Sequence, residues 1–146
     1  MEQLNLPPYQ FKLKKAGERV QIFDSIRKKY VVLTPEEWVR QNFLQYLIQE
    51  KKFPSSLIAV EAGLKYNQLQ KRTDVLVYDK AGSPFLLVEC KASSVKITQD
   101  TFDQIARYNM VFKVKYLVVT NGLNHFCCLM NYTDNSYQYV EIIPTF

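Results

Sequence analysis

The sequence predicts an α/β fold, a mixed β-sheet flanked by helices, and two observations carry that expectation. Val75–Tyr78 and Pro84–Glu89 are apolar runs of strand length joined by the short turn Lys80-Ala81-Gly82-Ser83. Both faces of the second run are apolar, the pattern of a central strand covered on both sides. A helical segment ending at about Phe112 then separates that run from another strand at Lys115–Thr120. A strand–helix–strand step implies a parallel crossover within a sheet that also contains hairpins.

The remaining elements follow in order. Gln10–Lys15 and Arg19–Phe23 flank Ala16-Gly17-Glu18 and read as a β-hairpin. Thr34-Pro35-Glu36-Glu37 is a helix start, with Thr as cap, Pro at the first helical position and acids in the first turn. That helix is expected to run to about Glu50, and a strand to follow at Leu57–Ala62. Gly63 and a polar stretch lead into the two apolar runs. Thr98 or Thr101 caps the second helix. Phe126–Tyr132 and Tyr137–Ile143 complete the strands, with Asn121-Gly122 and Thr133-Asp134-Asn135 as turns.

At 146 residues the chain has the size of one domain. Its expected parts are a hairpin extension (1–30), a core (31–120) and C-terminal strands (121–146), whose edge is open to pairing with a second copy. A hydrophobic content of 47% with four glycines argues against disorder. The net charge of +5 is compatible with a polyanionic partner without establishing one. Cys90, Cys127 and Cys128 lack metal-ligand spacing and read as core thiols in a reducing compartment, which with a lone His125 argues against zinc. There is no basic start before an apolar stretch and no apolar run approaching about 18 residues, so a cytoplasmic chain without signal peptide or membrane span is expected.

Chemistry enters where charge interrupts the apolar runs. Asp74 begins the first run, and Glu89 and Lys91 end the second on one face, while Cys90 takes the other. An uncompensated buried ion costs several kcal/mol, so mutual pairing plus a divalent metal is the expected compensation. Hard divalent cations take oxygen ligands of this kind, Mg²⁺ typically one or two carboxylates with waters and substrate oxygens. Glu-x-Lys alone is a poor signal, since Glu50-Lys51-Lys52 supplies the same pattern at a helix end; the preceding Asp74 is what distinguishes Glu89 and Lys91. On the first helix Glu36, Val39, Arg40, Phe43 and Leu47 share the apolar face, so Glu36 reads either as a site residue or as a helix-dipole acid paired with Arg40. Glu37 fits the capping box Thr34-x-x-Glu37 and is assigned to structure. Gln104 and Tyr108 lie one turn apart on the second helix, whose packing face is Phe102, Ile105, Ala106 and Phe112. Thr101-x-x-Gln104 also fits a capping box, which leaves the role of Gln104 open.

In combination, Glu36 on a helix, Asp74, Glu89-Cys90-Lys91 and Gln104-Ile105-Ala106-Arg107-Tyr108 resemble the PD-(D/E)xK nuclease superfamily. More narrowly they look like the N-terminal nuclease domain of type I restriction enzyme R subunits, to whose first helix Leu33–Gln41 is similar. The likeness covers about Val31–Thr120. It implies a restriction-endonuclease-like mixed sheet and Mg²⁺- or Mn²⁺-dependent DNA hydrolysis. Asp74, Glu89 and the Cys90 backbone carbonyl would hold the metal, Lys91 would be the catalytic lysine, and Glu36 would assist. Gln104 and Tyr108 would support the site or contact DNA, with Arg72 and Arg107 among the few basic residues near it, beside Lys71 and Lys96. Thr73 stands where the superfamily has its proline. No Gly-x-x-x-x-Gly-Lys-Ser/Thr loop occurs in these residues, so a separate motor or specificity subunit is an implied partner. The same fold serving as a non-catalytic nucleic-acid-binding or protein-interaction module is the alternative, and a structural ion-pair network is a third reading.

Overall fold

A computed structural model describes the backbone of residues 1–61, 63–66 and 69–146, and side chains for 1–61 and 73–146. In chain order the elements are β1 (Leu13–Ala16), β2 (Arg19–Asp24), β3 (Lys29–Val32), α1 (Pro35–Gln49), β4 (Ile58–Val60), β5 (Gly63–Tyr66), β6 (Leu69–Arg72), β7 (Val75–Tyr78), β8 (Pro84–Cys90), α2 (Gln99–Asn109), β9 (Tyr116–Thr120), β10 (His125–Asn131) and β11 (Ser136–Val140). Six strands form the main sheet in the order β11-β10-β9-β8-β7-β4. Every neighbouring pair is antiparallel except β8 and β9, which α2 connects as a parallel crossover with Leu87 opposite Leu117. The expected mixed sheet is therefore present.

Strand alternation splits the core into two layers. Val75, Val77, Leu86, Val88, Cys90, Val118 and Cys127 pack with Val39, Phe43 and Leu47 of α1. Leu76, Leu87, Leu117, Val119 and Cys128 pack with Phe102, Ile105 and Ala106 of α2. The adjacent Cys127 and Cys128 thus point to opposite faces. Burial pushes their thiols up to about 11 and about 12, which keeps them protonated and inert.

α1 starts as expected. Thr34 Oγ1 accepts from the Glu37 amide at 3.0 Å, and Pro35 occupies the first turn. For α2 the cap is Thr98, whose hydroxyl accepts from the Thr101 amide. Thr101 being inside the helix, Gln104 lies in the second turn and has no capping task. The last residues expected in α2, Met110–Phe112, tighten into a 3₁₀ turn closed by Lys113 in the left-handed region.

The last strand ends at Val140 rather than Ile143, and three further differences separate sequence and structure. The N-terminal hairpin is a three-stranded meander, because Lys29–Val32 adds to the free edge of β2 with Ile22 opposite Val31; its first strand begins at Leu13 rather than Gln10. The strand expected over Leu57–Ala62 shortens to Ile58–Val60, since Ser55–Leu57 forms a 3₁₀ turn and Glu61 adopts φ 54° and leaves the ladder; Ala62 itself lies outside the described residues. The polar stretch after Gly63 forms a separate two-stranded ribbon, β5–β6.

The β9–β10 turn needs its glycine. Gly122 has φ +85°, and a Cβ there would sit 2.8 Å from Leu4 Cδ2 and 3.2 Å from Val39 Cγ2. Asn121 Oδ1 meanwhile accepts the Leu123 and Asn124 amides. Gly122→Ala is expected to lower the unfolding free energy by about 1–3 kcal/mol through left-handed strain and displacement of Leu4, read in a denaturant titration; an unchanged midpoint would refute the packing argument.

Candidate active site

Asp74, Glu89 and Lys91 open into one cleft of about 470 Å³, lined also by Glu61, Thr73, Gln104, Ile105, Tyr108 and Asn109. The β7–β8 register that pairs Val75 with Val88 brings the start of one strand beside the end of the other. Glu89 and Lys91 continue the α2-facing row of Leu87, so α2 supplies the opposite wall with exposed Gln104 and half-exposed Tyr108.

Asp74 is the pivot. Its Oδ1 accepts from Arg40 Nη2 at 2.9 Å and its Oδ2 from the Cys90 amide at 2.6 Å. One carboxylate thereby ties the α1 side of the sheet to the end of β8. The Cys90 side chain faces the α1 core, where burial holds its thiol protonated. Lys91 is pinned by its backbone, the amide donating to the Thr120 carbonyl at 2.8 Å. It makes no salt bridge among the described residues, so its ammonium is available to the cleft.

Glu89 carries the clearest electrostatic perturbation. Burial, and then the neighbouring Asp74 carboxylate, push its pKa up to about 8, partly opposed by Lys91. Asn109 Nδ2 approaches Glu89 Oε1 at 3.4 Å while donating to the Ile105 carbonyl at 2.9 Å. A carboxyl raised in the folded state stays protonated while the unfolded chain releases its proton, so stability falls as pH rises from about 4.5 to about 8 and then levels. The expected slope reaches at most about 1.4 kcal/mol per pH unit. Thermal melts of metal-free protein should show that fall, and Glu89→Gln should flatten it; a wild-type Tm independent of pH across this window would contradict the assignment.

Glu36 does not line the cleft. It is half-exposed and ion-paired to Arg40 Nη2 at 3.4 Å, and burial together with the nearby Asp74 raises its pKa. Its link to Asp74 runs through the shared guanidinium. Arg107 and Lys96 are exposed and outside the lining. The side chains of Arg72 and Lys71 lie outside the described residues.

The structure adds groups that the sequence reading missed. Glu37, assigned to capping, is 6% exposed and joins a buried network instead of reaching back to Thr34. Its carboxylate accepts from Arg40 Nη1 at 2.6 Å, Arg27 Nη2 at 3.1 Å and Gln41 Nε2 at 3.0 Å. Arg27 and Gln41 also hold the fully buried Asp24, at 2.6 and 2.9 Å. Glu61 places its carboxylate on the cleft wall 3.2 Å from Arg27 Nη1, and its amide donates to the Asp74 carbonyl at 2.8 Å. Asn109 had a legible signal, since it continues the packing row Phe102, Ile105, Ala106 with a polar side chain. Glu61 had none, because its position follows from a left-handed backbone at the end of β4.

No three His, Cys, Asp or Glu side chains among the described residues converge on a common metal position. Three carboxylates do line the cleft, Asp74 and Glu89 at neighbouring strand ends and Glu61 drawn toward Arg27, and the buried oxygens Thr73 Oγ1 and Asn109 Oδ1 lack a hydrogen-bond partner among the described residues. An all-oxygen set with two carboxylates suits Mg²⁺ or Mn²⁺ and not zinc.

The mixed sheet, its parallel β8–α2–β9 step and the cleft at the strand ends define a restriction-endonuclease-like fold. The same fold is found in a fragment assigned to an HsdR subunit of a type I restriction enzyme from Vibrio vulnificus YJ016, with a TM-score of 0.54 and 21% identity over 77% of this chain and 24% of that one. The family model described as type I restriction enzyme R protein N terminus (HSDR_N) matches residues 35–144, and the chain belongs to that family. It spans about a quarter of the length of the Vibrio chain. No curated protein matches the sequence. Among the described residues no helix is long and apolar enough to cross a membrane.

Proposed function

We propose that this chain is the nuclease unit of a restriction-type system and hydrolyses DNA phosphodiesters with bound Mg²⁺ or Mn²⁺. One observation carries the reading: Asp74, Glu89 and Lys91 meet in a single cleft, with the Glu89 pKa raised to about 8 by burial and then by the second carboxylate. Two like charges in one partly buried site favour a cation between them, and a PD-(D/E)xK nuclease requires that arrangement.

Asp74 and Glu89 would hold the metal, with the Cys90 carbonyl beside them. A bound divalent ion would contribute Lewis acidity toward a phosphate oxygen and a lowered pKa for its water. Lys91 then offsets the negative charge that builds on the phosphorus oxygens, or orients the attacking water. Glu36 acts at one remove, through the Arg40 guanidinium that fixes the Asp74 carboxylate. Gln104 and Tyr108 line the far wall and would contact the DNA strand. DNA as substrate, and a separate motor or specificity subunit as partner, belong to the same proposal.

The test is cleavage of supercoiled, linear and single-stranded DNA in Mg²⁺, Mn²⁺ or EDTA. Metal-dependent cutting that disappears in folded Asp74→Asn is the expected result, and Mg²⁺ should raise the wild-type Tm most above pH 8, where Glu89 is ionised. A second reading, the non-catalytic binding module, rests on no three His, Cys, Asp or Glu side chains converging on a metal position among the described residues. DNA binding indifferent to Mg²⁺, without any cutting, would establish that module instead.

A further inference from the structure

The charge of this chain is concentrated outside the cleft. Residues 12–29 hold seven lysines and arginines against two acids, the same +5 as the whole sequence, and the remaining residues balance at twelve of each sign. One of those seven, Arg27, and one of the two acids, Asp24, neutralise each other in the interior at 2.6 Å. The other six cations (Lys12, Lys14, Lys15, Arg19, Lys28 and Lys29) are exposed and make no salt bridge among the described residues.

Register sorts them onto faces. Lys14 lies opposite Gln21, Ala16 opposite Arg19 and Phe23 opposite Tyr30, so Lys14, Arg19, Phe23 and Tyr30 share the outer face, and the buried Ile22 points the other way. Lys12 extends that row, its carbonyl accepting from the Phe23 amide at 2.9 Å. Lys14 Nζ stands 4.3 Å from the Tyr30 ring centroid and Lys12 Nζ 5.7 Å from that of Phe23. The two rings meet edge-on at 5.2 Å. Cations held over aromatic faces keep less rotamer freedom and lose less of it on binding.

We propose that the outer face of β1–β2–β3 is a docking surface for the phosphate backbone of duplex DNA, with Lys12, Lys14 and Arg19 as its phosphate contacts. The choice of DNA rests on the nuclease reading above; the polyanion chemistry rests on the charge and register. The surface is mechanically joined to the cleft, because Arg27 in the β2–β3 turn bridges to Glu37 and to Glu61 on the cleft wall at 3.1 and 3.2 Å. It lies outside the residues that define the family, which begin at Pro35. A cleft whose lining has one cation among the described residues is thereby supplied with the positive surface that a DNA-binding protein needs.

Binding of a fluorescein-labelled duplex is measured by anisotropy in EDTA, where no cutting interferes, across about 50–200 mM salt. The comparison is wild type, K12Q/K14Q/R19Q and the equal-charge control K52Q/K113Q/K115Q, each with its melting curve. Wild type should bind with a steep salt dependence. In the first triple variant the slope of log K against log salt should shrink by about 2.7, three phosphates at about 0.9 each, with at least about a tenfold loss of affinity. The control should retain most of both. An unchanged slope, an equal loss in the control, no DNA binding by wild type, or binding confined to phosphatidylserine vesicles would each overturn the proposal. Binding that needs Lys12, Lys14 and Arg19 but is never followed by cutting in Mg²⁺ would uphold this surface and sink the nuclease reading alone.

Discussion

Lys91→Ala is expected to abolish Mg²⁺-dependent cleavage, by about two to three orders of magnitude or more, while leaving the fold intact. The position makes those two effects separable. Lys91 ends β8 with its backbone amide bonded to the Thr120 carbonyl at 2.8 Å, a contact that does not depend on the side chain. Its ammonium lines the cleft without a salt bridge among the described residues, so truncation breaks no close ion pair and removes only the partial offset it gives to Glu89, which can stay protonated. Urea denaturation should therefore place the variant within about 1 kcal/mol of wild type. If the charges at the cleft were instead a structural network, the same substitution would cost about 3–5 kcal/mol. Lys91→Arg offers a finer probe: it keeps the charge but replaces a compact ammonium with a planar fork, and partial activity is expected. Cleavage by Lys91→Ala at the wild-type rate would refute the role.

The cleft residues were legible because they break a rule. Asp74, Glu89 and Lys91 put charge at the ends of runs whose other positions are apolar on both faces, and period-two alternation alone places Glu89 and Lys91 together. The crossover from β8 to β9 was equally readable, since a capped helix between two strand-like runs leaves few alternatives. What was not readable depends on distant partners. Glu37 obeys the capping pattern, and nothing nearby in sequence reports that Arg27, ten residues earlier, will take its carboxylate. β3 is a four-residue strand with half-exposed side chains, fixed by pairing to β2 rather than by its own pattern. α1 likewise obscures its periodicity by burying Glu37, Arg40, Gln41 and Asn42 among Val39, Phe43 and Leu44. Buried polar groups that satisfy one another look, in a sequence, like a solvated face.

Arg40→Met should be the most destabilising single change near the site, about 3–5 kcal/mol in urea denaturation. The guanidinium side chain is 6% exposed and bonds Glu37 at 2.6 Å and Asp74 at 2.9 Å, with Glu36 at 3.4 Å. Burial works against its charge, yet the Asp74 and Glu37 carboxylates outweigh burial and raise its pKa further. Methionine fills much of the volume but removes the cation that Glu37 and Asp74 share, leaving Glu37 to Arg27 and Gln41 and Asp74 to the Cys90 amide, and the penalty is theirs rather than the lost side chain's. Neutralising them should therefore repair the damage: Glu37→Gln and Asp74→Asn in the Arg40→Met background are expected to recover part of the loss, a coupling that a double-mutant cycle measures directly. Lysine is a poor substitute, because one ammonium cannot present two diverging nitrogens to carboxylates on α1 and at the start of β7. Additive effects of Arg40→Met and Asp74→Asn would mean that the two side chains act independently. Strong coupling would mean that the guanidinium both holds α1 to the sheet and fixes the carboxylate on which the proposed chemistry depends, which makes Arg40 the point where stability and activity meet.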